Sequence, residues 1–378
     1  RSDAYNVAIG YNAGVNVTTG NYNTLIGGSS GDALTTGARN IAIGNHALST
    51  EDGHGRNVAI GYEALKAQDA GADAYNVAVG YQAGLSVSTG TANTLIGGYA
   101  GDALTTGGDN VVLGYNALST EDTGTRNTAI GRGALQNLNY DGTGYNTAVG
   151  YEAGNDLTTG VQNTLIGALA GDTLTTGDRN VAIGHLALTT EDAGDRNVAI
   201  GADALRVQDG SNYNVAVGDS AGEHLTTGAE SVFIGGLAGD AITTGSANVA
   251  VGYSALSTED TMGNNTAVGY KALQDLNAGA NGNTVAVGAE AGRRLSTGTE
   301  NTLVGAFAGD HLTAGGYNVA IGYQALTTED AHGRNVAIGA NALRDLDAGA
   351  DAYNVAIGYE AGKVVSTGIN NVLIGGQA

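Results

Sequence analysis

The chain has 378 residues, 64 of them Gly, with no Pro, Cys or Trp, and 42% of it is hydrophobic. This excludes collagen, which needs a Gly-X-Y period with Pro, a disordered linker, which holds less apolar side chain, and a disulfide framework. A net charge of −22 argues against nucleic acid or an anionic membrane as a direct partner.

No run approaches the roughly 18 apolar residues of a membrane span. The chain opens Arg1-Ser2-Asp3 with neither signal peptide nor initiator Met, which reads as a processed product or a piece of something longer. Its first predicted element is a strand within Asn6-Val7-Ala8-Ile9-Gly10, and the same five-residue pattern recurs 22 times, the last copy beginning at Asn371. Seventeen spacings are 17 residues and four are 19, so the array is unbroken. The first position is Asn in 20 copies, with Ser231 and Thr284 the exceptions; the second is Val, Ile or Thr, the fourth Ile, Val or Leu, and the fifth always Gly. Alternating β-branched residues make a strand, and the Gly permits the turn after it.

Counting the Asn as position one, the rest of the copy follows two patterns. One has Gly at the ninth position and an apolar residue at the twelfth (Val17, Leu34, Val87, Leu104, Leu157), followed by Thr-Thr-Gly or Ser-Thr-Gly. The other has Ala-Leu at the eighth and ninth, as in Ala47-Leu48 and Ala64-Leu65. Four copies form a block of about 70 residues, starting at Asn6, Asn76, Asn146, Asn214, Thr284 and Asn354. The predicted fold is a single all-β tandem-repeat β-solenoid over residues 1–378, each turn holding two short strands and two bends. At the strand spacing of about 4.8 Å, 22 turns would make a rod roughly 100 Å long.

Stacking would align the Asn column (Asn6, Asn23, Asn40, Asn57, Asn76, Asn93) into a ladder of side-chain amides. With the second and fourth positions taken to face inward, the third faces outward. It is never polar: Ala8, Leu25, Ala42, Ala59 and Leu95 are typical, and Phe233 is the largest. A strand apolar on both faces is covered on both, so the third-position row is predicted to be an oligomer face. The simplest partner is the same chain, and a homotrimer is preferred.

The Asn-Val-Ala-Ile-Gly strand, repeated through a Gly/Ala-rich coil, resembles the head repeats of trimeric autotransporter adhesins and similar repeats of bacteriophage tail-fibre proteins. The resemblance covers nearly the whole chain. It implies a left-handed β-roll, three chains side by side, and a head that binds host surfaces or matrix. The expected role is therefore a structural or adhesive fibre segment, extracellular, on a cell surface or on a virion tail. An end-to-end extracellular filament subunit is the alternative, because the array stops at Gly375-Gly376-Gln377-Ala378 without a cap. An ion- or ice-binding solenoid is a third.

Candidate chemistry is sparse. The pair Glu51-Asp52 recurs once per block as Glu121-Asp122, Glu191-Asp192, Glu259-Asp260 and Glu329-Asp330. Ca²⁺ is a weak candidate there: it wants six to eight oxygens, and pairs four turns apart cannot share an ion. Arg56, Arg126, Arg196 and Arg334 offer simpler ion pairs. The Thr-Thr-Gly hydroxyls read as turn or edge groups rather than an ice-ordering face. Tyr after the Gly (Tyr62, Tyr81, Tyr115) or before the Asn (Tyr5, Tyr75, Tyr145) reads as sealing a bend. The 19-residue copies project longer loops, and Asp69, Asp73, Asp141, Asp345 and Asp351 on them are the predicted ligand contacts. Six scattered His with no nucleophile nearby, and acidic clusters that repeat with the scaffold, give no catalytic site; the chain reads as no enzyme.

Overall fold

The computed structural model describes residues 4–258, 261, 263–279 and 281–378. Twenty-two strands of three residues each occupy the second to fourth positions of the repeat. The chain divides into two units, Arg1–Ala193 and Gly194–Ala378. The first holds eleven strands, from β1 (Val7–Ile9) to β11 (Val181–Ile183); the second holds eleven more, from β12 (Val198–Ile200) to β22 (Val372–Ile374). Within each unit every strand pairs in parallel with the next in sequence. In the first, β6 (Thr94–Ile96) sets Thr94, Leu95 and Ile96 opposite Val111, Val112 and Leu113 of β7 (Val111–Leu113). In the second, Val215, Ala216 and Val217 face Val232, Phe233 and Ile234. Each unit is a parallel β-solenoid, with one coil per repeat and no helix among the described residues.

Among the described residues each coil carries one strand, not the expected two. Positions seven, nine and seventeen take left-handed backbone even where they are not Gly: His46 (φ 56°), Leu48 (φ 52°) and Arg56 (φ 65°) do so in one coil. Single left-handed residues break an extended run, so the rest of the coil is a chain of turns. These turns still stack by main-chain bonds, as where Gly31 N–H reaches the Ala47 carbonyl at 2.9 Å and Thr35 N–H reaches that of Asp52 at 2.7 Å. The Gly after each strand is required twice over. Gly97 has φ +136°, and a Cβ there would lie 2.4 Å from the Gly114 carbonyl oxygen of the next coil.

The facing of the strand is the reverse of the sequence expectation. Third-position side chains point into the coil: Leu25, Ala42, Ala59, Leu95 and Phe233 are all buried. Ala8, in the first coil, is exposed. The predicted oligomer face is therefore the core, and the second and fourth positions face outward. The reason is volume. A 17-residue coil encloses room for one strand side chain per turn, filled jointly with residues from positions eight, nine and twelve. Where the ninth residue is Gly, a large third-position side chain of the same or the next coil occupies its space: a Cβ on Gly239 would sit 2.4 Å from the Phe233 ring, and one on Gly84 would sit 2.7 Å from Leu95. Where the ninth is Leu, as in Leu48 and Leu65, the third is Ala42 or Ala59 and all four are buried.

Candidate functional site

The Asn column forms a ladder, but mainly between side chain and main chain. The Asn6 Oδ1 accepts the Asn23 N–H at 2.8 Å, Asn23 Oδ1 that of Asn40 at 2.9 Å, Asn40 Oδ1 that of Asn57 at 3.0 Å, and Asn76 Oδ1 that of Asn93 at 2.8 Å. Most Nδ2 groups then donate fourteen residues ahead, Asn23 to the Gly37 carbonyl at 2.9 Å and Asn93 to that of Gly107 at 2.8 Å, while the buried Nδ2 of Asn57, Asn127 and Asn265 has no hydrogen-bond partner. Amide-to-amide contacts are occasional, as from Asn110 Nδ2 to Asn93 Oδ1 at 3.1 Å. The exceptions keep the acceptor: Ser231 Oγ receives the Asn248 N–H at 3.2 Å and Thr284 Oγ1 that of Asn301 at 3.3 Å. The ladder holds coils in register.

The recurring acidic pair is the most altered feature. Its Glu occupies position twelve, where most other coils carry a core Leu, Val or Ile, and Glu51, Glu121, Glu191 and Glu329 are fully buried; Glu259-Asp260 lies outside the described residues. None of Glu51, Glu121 and Glu329 pairs with the nearby Arg. Arg56 instead binds the Asp73 carboxylate and stacks 5.2 Å over Tyr75. Arg334 likewise binds Asp351 and lies 5.6 Å over Tyr353, while Arg126 and Arg196 lie over Tyr145 and Tyr213. A buried carboxylate needs hydrogen-bond donors, and the main chain supplies them. Glu121 Oε1 accepts the N–H of Gly124 at 2.7 Å and of Thr123 at 3.2 Å, and Oε2 accepts that of Tyr140 at 3.1 Å. Burial nevertheless raises the carboxyls of Glu51, Glu121 and Glu329 above the ordinary range, the N–H donors opposing it.

Two of the coils add an imidazole. His54 donates its N–H to Glu51 Oε1 at 2.8 Å, and its Nδ1 lies 3.5 Å from the same oxygen. Donor atoms of Glu51, Asp52, His54 and Asp69 gather within 4.8 Å of one another, as do those of Glu329, Asp330 and His332. The structure thus joins the Glu51-Asp52 pair to Asp69 of the longer loop. The other loop acids go elsewhere: Asp141 accepts the Thr123 hydroxyl at 2.8 Å, and Asp345 pairs with Arg344 at 2.7 Å. The loop tips are open, with nothing near the Cβ direction of Gly71 or Gly349.

Surface features are simpler. Thr35 Oγ1 donates to the Asp52 carbonyl and Thr105 Oγ1 to that of Asp122, both at 3.0 Å, so these hydroxyls bridge coils at an edge. Tyr62 stacks on Tyr81 at 5.3 Å, and Tyr99 meets Tyr115 edge-on at 6.0 Å. The rings of Tyr62, Tyr81 and Tyr115 stay about half exposed, covering a corner rather than plugging it. Tyr99, Asp102, Tyr115, Asn116 and Ser119 line an open cleft of about 360 Å³. Among the described residues no helix is long and apolar enough to cross a membrane.

What sequence reasoning missed was the depth of the acidic residue. The signal was its register: position twelve is apolar in most other coils, so whatever stands there points inward. No protein-family model matches this chain, and no curated protein sequence matches it either.

Proposed function

We propose that the chain is a structural segment of an extracellular or virion fibre, working as a side-by-side homo-oligomer, with three chains preferred, and offering its loops and Tyr rows as an adhesive surface. The observation that carries the reading is the outer face of the strands. The fourth position is Ile, Val or Leu in every copy, and on the solvent side Val111, Leu113, Ile166 and Ile234 are each more than a third exposed. Contiguous exposed apolar surface of this kind marks an association site. Parallel sheets are ordinarily covered on both faces, and the coil interior covers only one. The resemblance to adhesin heads supports the number three. The left-handed winding is part of the same proposal.

Sedimentation equilibrium of the intact chain tests it, with three times the 37.4 kDa chain mass expected. Leu113→Lys combined with Ile166→Lys should give a monomer with unchanged circular dichroism, since both side chains leave the coil. A wild-type monomer at micromolar concentration would sink the proposal. An open-ended series of larger masses would favour the end-to-end filament.

A further inference from the structure

We propose that the Glu51, Asp52, His54 and Asp69 cluster binds a first-row divalent transition ion of the Zn²⁺ type, and that Glu329, Asp330 and His332 form a second, weaker site of the same kind. The repeat itself supplies the comparison. In the coil of Glu121, where Gly124 stands at the place of His54, both carboxylate oxygens are satisfied by main-chain N–H groups. In the coil of Glu51, the same buried residue keeps one oxygen, Oε2, without a hydrogen-bond partner, and the His54 Nδ1 beside it is also buried and without one. His332 Nδ1 repeats the imidazole half of the arrangement, without a partner and 3.4 Å from Glu329 Oε1, while Glu329 Oε2 accepts the Ala348 N–H at 3.3 Å. A buried acceptor left unmet costs about 1–3 kcal/mol. With the imidazole in the tautomer that leaves Nδ1 bare, that nitrogen and the carboxylate oxygen are met together by one cation.

The donor set selects the ion. Three carboxylates and one imidazole suit a four-coordinate site with short bonds, and imidazole prefers Zn²⁺, Co²⁺ or Ni²⁺ over hard ions. Ca²⁺ takes six to eight oxygen ligands, and the imidazole nitrogen in this set is not one. Asp52 and Asp69 are exposed and Glu51 is buried, so an ion can enter from solvent and rest on the inner carboxylate. The net charge of −22 raises the local concentration of cations. The second site has three donor residues rather than four, hence its weaker binding.

The test uses the full chain, stripped with a chelator and titrated with Zn²⁺ by calorimetry and with Co²⁺ by visible absorption. One tight and one weaker site per chain are expected, with Co²⁺ bands of tetrahedral intensity and no displacement by millimolar Ca²⁺. His54→Ala should weaken the tight site by at least about ten-fold, and adding His332→Ala should remove the weaker one. Asp69→Asn, on an exposed loop where misfolding is not at issue, should weaken only the tight site. Absence of saturable Zn²⁺ binding overturns the proposal. So does binding that the His54→Ala, His332→Ala double variant leaves unchanged, or that Ca²⁺ displaces equally well.

Discussion

At the scale of the residue, two kinds of buried polar group behave oppositely. Most of the Asn column is engaged through both amide atoms, so removing such a member strands a donor and an acceptor at once. Asn93→Ala orphans the Asn110 N–H and the Gly107 carbonyl and should cost about 2–6 kcal/mol, at about 1–3 per stranded group. Asn93→Ser should cost less, because the hydroxyl keeps the acceptor role seen at Ser231. Thermal unfolding of the two variants checks the order. The buried acids are strained instead. Burial, with Asp156 and Glu152 nearby, raises the Asp172 carboxyl from 3.8 to about 6, and its Oδ1 has no partner. A folded-state pKa above the unfolded one favours the protonated native form. The stability this contributes is present below about pH 4 and is lost as pH rises through about 6. Asp172→Asn should therefore gain on the wild type between pH 4 and pH 7, and melting temperature against pH should show that divergence. A gap that stays constant with pH would refute this account.

The element is the coil, where glycine and volume set the limits. Gly97→Ala would force a Cβ into the next coil's carbonyl at a φ that L-residues avoid; it should destabilise far more than a surface Gly→Ala change such as Gly236→Ala, whose Cβ would meet nothing nearer than 3.6 Å. Leu95→Ala leaves a hole where Gly84 and Gly101 offer no side chain, since the Leu95 methyls lie 2.7 and 2.9 Å from where their Cβ atoms would be. It should cost about 2–5 kcal/mol in denaturant unfolding. At this scale the alternation of the strand was legible and its direction was not. Val-Ala-Ile is apolar on both sides, so hydrophobicity alone cannot say which side is inside. The pairing of large third-position residues with a ninth-position Gly, as in Leu25 with Gly31 and Phe233 with Gly239, was in the sequence as a size rule.

For the whole molecule, 37 acidic against 15 basic side chains repel one another. Side-by-side association must overcome that repulsion, which salt screens over a Debye length of about 10 Å at 0.1 M. Raising the salt from about 0.01 to 0.15 M should therefore tighten the proposed oligomer, read as a rise in weight-average mass at fixed protein concentration. Weaker association at higher salt would mean that charge pairs, rather than the outer Ile and Val columns, hold the chains together.

The repeat period, the strand at Asn-Val-Ala-Ile-Gly, the parallel stacking and the Asn ladder were all determined by the sequence, because identical residues at a fixed interval can satisfy one another only by lying in register. The tertiary structure decided which face of the strand is the core. It also decided that the rest of the coil is turns rather than a second strand, and that Glu51 lies buried beside His54 and Asp69. These depend on how much volume one coil encloses and on which coil's loop reaches which neighbour, and a one-dimensional pattern does not carry such distances.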